Sequence, residues 1–168
     1  LIDTATAGDQ VIAAAASGAT LTLSMLDQLI DAVKGGKPGM LLMSRRSRRK
    51  INALVRAAGG MMETDRDKWG NFIQFWDNIP IGVNDWILDT HTVSGGVETA
   101  TTGGTCSTIY TMQFGEGGLC GLTSPGHIQV EPIGSLETKD ASRTRIKWYV
   151  SLALFSTVKT AALIGVQD

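Results

Sequence analysis

The sequence predicts an α+β fold with two helices in its first third and strands concentrated toward the C-terminus. Three observations predict it. Two segments carry apolar residues at helical spacing and each ends at a Gly-Gly pair, the last third turns to period-two alternation, and no internal repeat of about 20 to 50 residues interrupts the pattern. With 168 residues, 43% hydrophobic and 18% charged, the chain has globular composition and the size of one ordinary domain.

Residues 1–19 are small and weakly patterned, and Ala13-Ala14-Ala15-Ala16 followed by Ser17-Gly18 reads as an irregular lead-in with a short helical piece. The first residues, Leu1-Ile2-Asp3, read as part of something longer or as a processed product. The organised fold is expected from Thr20. Leu26, Leu29, Ile30 and Val33 then line one face of a helix, with Thr22 or Ser24 as N-cap and Gly35-Gly36 at the stop. Met40-Leu41-Leu42-Met43, apolar on both faces, predicts a central buried strand. Ser44 caps a second helix, with Ile51, Leu54, Val55 and Ala58 on one side and Arg45, Arg46, Arg48, Arg49, Lys50 and Arg56 on the other.

The segments 71–76 and 79–83 predict a hairpin joined at Asp77-Asn78. Residues 89–105, rich in Gly and Thr, predict a mobile surface loop. Strands are expected at 107–112, 128–133 and 143–155, with a final apolar segment at 160–166.

Composition narrows the function classes. A net charge of −1 gives no global field to recruit nucleic acid. No apolar run approaches the ~18 residues of a membrane span, and the N-terminus lacks signal-peptide order, so a soluble intracellular protein without membrane partners is expected. G-x-S-x-G, P-loop and H-E-x-x-H motifs are missing, and His91 and His127 sit beside no nucleophile turn, so the chain is not expected to be an enzyme or to take a small-molecule substrate. Cys106, Cys120, His91 and His127 would make a zinc set by count, but they are spread from position 91 to 127 without close pairs, so two free thiols and no metal or cofactor are expected. Gly103-Gly104 and Gly115-Glu116-Gly117-Gly118 precede no helix and read as turns, not phosphate cradles.

Two surface features stand out. Arg45, Arg46, Arg48 and Arg49 form the one local basic run, a solvated or subunit-contacting face first and a nucleic-acid contact second, since no aromatic residues interleave to stack bases. Among four tryptophans, Trp76 and Trp148 read as core or sheet-face residues, while Trp69 and Trp86 lie in connections and are candidates for contact with a neighbouring subunit.

The order of segments resembles the major capsid proteins of tailed double-stranded DNA bacteriophages, whose fold encapsulins share. The resemblance rests on Leu26-Asp27-Gln28-Leu29-Ile30-Asp31-Ala32-Val33 leading to Met40-Leu41-Leu42-Met43-Ser44-Arg45-Arg46. It continues in Phe75-Trp76-Asp77-Asn78-Ile79-Pro80-Ile81, where Asn78 stands at a common Gly position, then in 109–115, 145–154 and Thr160-Ala161-Ala162-Leu163-Ile164. It implies a single-domain fragment of the phage major capsid fold: an irregular lead-in over 1–19, the axial domain over 20–142, and returning strands of the peripheral domain over 143–168. The N-terminal arm, extended loop and most of the spine helix are missing. It further implies an icosahedral shell subunit of a phage or prophage. Partners would be copies of itself in pentamer or hexamer capsomers, with scaffolding protein and packaged DNA, first in the host bacterial cytoplasm and then in the virion capsid. The loop residues around Val93 to Thr105 would lie near a capsomer axis or insert between neighbours. The alternatives are an encapsulin-like shell around cargo protein, a nucleic-acid-binding module using Arg45, Arg46, Arg48 and Arg49, and a small hydrolase built on His91 or His127.

Overall fold

The computed structural model describes residues 10–135 and 138–168. In chain order the elements are β1 (Val11–Ala13), β2 (Ala19–Thr20), α1 (Leu23–Asp31), β3 (Met40–Met43), α2 (Arg45–Ala57), β4 (Glu63–Arg66), β5 (Phe72–Trp76), β6 (Ile79–Val83), β7 (Thr92–Ser94), β8 (Val97–Ala100), β9 (Ser107–Met112), β10 (Leu119–Ser135), β11 (Ser142–Leu154) and β12 (Thr160–Gln167), with a 3-10 turn at Thr157–Lys159. The architecture is mostly sheet with two helices. No helix among the described residues is long and apolar enough to cross a membrane.

Eight strands make one mixed sheet in the order β1-β12-β9-β3-β6-β5-β4, with β2 also paired to β12. Strands β3 and β6 run parallel because α2 and the β4–β5 hairpin lie between them in sequence. Alternate residues of the strands point to one face, Leu41 and Met43, Ile79 and Ile81, Ile109, Ala161 and Leu163, and meet Leu26, Leu29 and Ile30 of α1 and Ile51 and Val55 of α2 in one core. Both helices start as expected: Thr22 Oγ1 accepts from the Met25 N–H, and Ser44 Oγ accepts from the Ser47 N–H.

Strand β12 is buried along nearly its whole length, flanked by β1 and β2 on one side and β9 on the other. Ala161 and Leu163 join the core beneath the helices, Val166 joins it beyond an irregularity in the pairing with β9, and Ala162 and Ile164 are buried as well. The irregular lead-in expected over 1–19 is met in its described part only at 14–18, which are bends and turns, and not in the segments on either side. Val11-Ile12-Ala13 and Ala19-Thr20 are strands parallel to β12, and the Ala14 N–H donates to the Ile164 carbonyl at 2.9 Å. A buried strand needs partners for both rows of its backbone groups, and that demand outweighs the helix preference of four alanines.

The mobile loop expected over 89–105 is a hairpin, β7–β8, turned at Gly95-Gly96 with both φ positive (63° and 77°). Its threonines staple the backbone: Thr90 Oγ1 donates to Thr101 O, Thr92 Oγ1 to Thr102 O, and Thr99 Oγ1 to Thr92 O. Val93 is buried beside Gly165 of β12. The expected β5–β6 hairpin is present, and Asp77 and Asn78 both adopt positive φ (47° and 60°). Asn tolerates that conformation better than other non-Gly residues, which is why it can stand where Gly is common.

The chain from 119 to 154 leaves the sheet altogether. β10 and β11 pair only with each other, as an antiparallel ribbon of 17 and 13 residues, the longer strand spanning about 55 Å. The division expected at 142/143 falls at the tip of this ribbon, so the 143–155 strand returns along 119–135 while Thr160–Gln167 runs through the centre of the main sheet. Trp148, expected in a core or on a sheet face, is 59% exposed on the ribbon.

Replacing fully buried Leu163 by Ala is expected to cost about 3 kcal/mol, from lost burial and a cavity at the centre of the sheet. Leu152→Ala on the ribbon should change the stability of the monomeric chain by less than about 0.5 kcal/mol. Urea unfolding of both variants checks the contrast.

Candidate functional site

Three regions carry the residues singled out by sequence. The first is the N-terminus of α2. Ser44, Ser47 and Ser107 are buried together, with the Ser107 hydroxyl 3.4 Å from Ser44 Oγ and 3.3 Å from the Leu88 carbonyl it donates to, which fastens α2 to β9. Four arginines crowd the positive end of the helix dipole, and nearby acids offset them. Arg45 pairs with Asp85 at 2.5 Å. Arg46, only 20% exposed, meets Asp168 at 3.1 Å and Asp89 at 3.9 Å and donates to the carbonyls of Asp89 and Thr105. Arg48 is half-buried, and Arg49 is exposed. The basic run is therefore not one open face: Arg46 is a clamp joining α2 to two connections and to Asp168, and Arg45 is tied to the loop after β6.

The second region holds the titratable side chains. His91 and Cys106 face each other in an isolated bridge, with His91 Nδ1 2.7 Å from Glu98 and Cys106 Sγ 3.3 Å from Gln167 Nε2. Cys120 and His127 lie on the ribbon instead, His127 at positive φ (52°) and 3.3 Å from Thr123 Oγ1. Both thiols are free, and no group of three His, Cys, Asp or Glu among the described residues is placed to hold a metal. Gly104 and Gly118 permit close backbone approach, since a Cβ there would stand 2.0 Å from His91 O and 2.2 Å from Gln113 O. Burial first, then the charge of Glu98, pushes the Tyr110 phenol above its ordinary range, against a smaller opposing hydrogen bond with Thr108.

The third region is the β10–β11 ribbon. Cross-strand partners share a face, so Ile128 and Trp148, and Val130 and Ile146, stand on the same side. Along β11 that side continues through Val150 and Leu152, and these six residues are between 54% and 75% exposed. The opposite side carries Gln129, Glu131, Arg145 and Lys147. There a hydrogen bond from Lys147, at 2.6 Å, is the main cause holding the Glu131 carboxyl below its usual range. A bulge between Thr123 and Ile128 absorbs extra residues of β10 without reversing the faces. The alternation at 128–133 and 143–155 is legible in sequence and the two segments pair, but the first strand begins already at Leu119 and runs through Pro125-Gly126 with an irregularity there.

The tryptophans complete the surface. Trp86 is 90% exposed in the loop after β6, and Trp69 is 82% exposed in the turn between β4 and β5. Trp76 is half-buried, its Nε1 donating to Asp27. Beside it runs a groove of about 330 Å³ lined by the apolar Val55, Met61, Met62, Phe75 and Trp76 and the acidic Asp27, Glu63 and Asp77, Met61 being almost fully exposed.

The chain combines an eight-stranded mixed sheet, two helices packed on it and a separate two-stranded ribbon, and this arrangement has a counterpart among solved structures. The particular likeness is to the cryoEM structure of the holo-SrpI encapsulin complex from Synechococcus elongatus PCC 7942, with a TM-score of 0.68 over 96% of this chain at 19% identity. The chain spans 54% of the length of that encapsulin chain. No protein-family model and no curated protein matches the sequence. The fold is thus that of an encapsulin shell protein at the coarse level.

Arg46→Ala is expected to lose about 2 kcal/mol of stability because its carbonyl and carboxylate partners are left half-buried, whereas Arg49→Ala should be neutral in the same urea titration. A raised Tyr110 pKa means that the folded state holds the phenolic proton more tightly, so stability should fall as pH rises past about 10. Unfolding midpoints measured from pH ~8 to ~11 should show that loss in the wild type and a smaller one in Tyr110→Phe.

Proposed function

We propose that this chain is part of a structural subunit of an icosahedral phage or prophage capsid, self-assembling around double-stranded DNA and acting as a wall, not as a catalyst. The observation that carries it is the ribbon. A two-stranded hairpin is marginal in water by itself, and burying each Ile, Val, Leu or Trp of its apolar side is worth about 1.5–3 kcal/mol. An apolar stripe of that length, backed by a charged side, fits a protein made to be covered by other protein. The encapsulin fold and the capsid-like order of sequence segments support the same reading. Assembly from identical copies needs many modest contacts and no deep catalytic pocket. The partners proposed are therefore other copies of the subunit, with scaffolding protein during assembly, in the bacterial host and then in the virion.

A second reading, an encapsulin-like shell around cargo protein, is favoured by the structural likeness itself. A free-standing nucleic-acid-binding module draws little support, because Arg45 and Arg46 are engaged by Asp85, Asp89 and Asp168.

The test is electron microscopy of the complete gene product after expression in a bacterium. Closed shells or ring-shaped capsomers are expected, and compact monomers under all assembly conditions would remove the proposal. Nuclease-protected DNA in particles purified from infected or induced cells separates the phage capsid from the encapsulin alternative, which should retain protein instead.

A further inference from the structure

The β4–β5 hairpin carries two unlike patches at its two ends. At one end the turn 67–71 projects Lys68 and Trp69 into solvent. The turn is pinned: Asp67 N–H donates to Asn71 O at 2.9 Å, Gly70 N–H to Asp67 O at 2.7 Å, and Lys68 N–H to Asp67 Oδ1 at 2.7 Å. Gly70 takes the positive φ (80°) that the turn requires, and the Arg66 guanidinium stacks 4.9 Å from the Phe72 ring centroid at its base. The backbone that carries the indole is held in place before any partner arrives, so little backbone ordering entropy is spent on contact.

At the other end, where Glu63 pairs with Phe75, lies the groove lined by half-buried Met62 and Trp76 and by exposed Met61. Methionines make a lining that adapts to an aromatic guest. The rim is acidic. Asp77 is engaged by Lys37 at 2.8 Å, but Glu63 and Asp27 have no ion-pair partner among the described residues, and neither has Lys68. Three residue steps of β4, about 10 Å, separate the basic-aromatic end from the acidic-apolar one.

We propose that the Lys68-Trp69 turn of one copy seats in the Met61-Met62-Trp76 groove of the next, with Lys68 against Glu63 and Asp27. The proposal rests on the shell reading above and names one of its subunit contacts. The two patches differ and sit at opposite ends of one hairpin, so the contact is head-to-tail, the type that generates rings and not two-fold dimers. The contact is small, and ring closure supplies the strength that one seat lacks. An aromatic anchor entering a pocket is the usual hot spot of such a contact. Of the two exposed tryptophans, Trp69 has beside it a lysine that no carboxylate among the described residues engages, whereas the charge beside Trp86, Asp85, is already paired with Arg45.

The experiment uses the complete gene product with Cys120→Ser as background. Glu63→Cys and Lys68→Cys in the same chain are expected to give, on oxidation, a ladder of cross-linked oligomers on a non-reducing gel, while either change alone gives none. Trp69→Ala, at a site exposed enough to leave the fold intact, should reduce ring or shell yield by about tenfold or more. Glu63→Lys and Lys68→Glu should each block assembly, and the two together in one chain should restore it.

Wild-type shells with no ladder and unimpaired Trp69→Ala assembly overturn this contact and leave the shell reading standing. Dimers from Lys68→Cys alone would mean a two-fold contact and also overturn it. Loss of assembly in Glu63→Lys but not in Lys68→Glu would assign the groove to a different basic partner. If the wild type forms no shells, the shell reading falls, and the ladder decides the head-to-tail contact by itself.

Discussion

The structure depends on the burial of one strand. β12 lies between β1 and β9 in the sheet, with Ala161, Leu163 and Val166 in the main core and Ala162 and Ile164 buried besides. A strand so enclosed has no water for its backbone groups, so every N–H and C=O must be met by another strand. That condition recruits residues 11–13 and 19–20, which have little pattern of their own, and ties the start of the described chain to its end. It also places Asp168 where Arg46 can reach it, so the first turn of α2, the connection at Asp89 and Thr105 and the end of the chain are joined through one guanidinium.

Around that strand the molecule divides into a part that satisfies itself and a part that does not. The sheet and two helices bury their apolar faces in one core. The ribbon buries almost nothing, yet its side chains alternate as cleanly as those of a half-buried strand, apolar on one side and ion-paired on the other. Such alternation has a physical sense only where one side is to be covered.

The elements legible in sequence were those whose signal is local. The α1 and α2 stripes, their Thr22 and Ser44 caps, the apolar Met40–Met43 strand and the Asp77-Asn78 turn each rest on a few neighbouring residues, and the structure has them where expected. The elements missed were those in which local chemistry has two readings. Gly95-Gly96 among threonines suits a mobile loop or a tight hairpin, and only Val93 packing beside Gly165 selects the hairpin. Pro125-Gly126 interrupts the period-two pattern, and only the pairing with β11 shows that β10 runs through it, with an irregularity between Thr123 and Ile128. Among surface residues, the exposure of Trp69 and Trp86 followed from their place in connections, whereas the fate of Arg45 and Arg46 did not, because Asp85, Asp89 and Asp168 are distant in sequence.

What the sequence by itself determined was the α+β class, the two helices with their apolar sides, the alternation of the late strands and the order of segments that resembles a capsid protein. Each follows from side-chain period and turn chemistry within about a dozen residues. Tertiary structure alone decided that the last strand sits at the centre of the sheet, that the lead-in becomes two parallel strands, that the arginine cluster is tied down by acids, and that the ribbon stands apart with its apolar side uncovered. These depend on which distant segments pair, and pairing is set by the burial of backbone groups and charges across the whole chain, a quantity no local window contains.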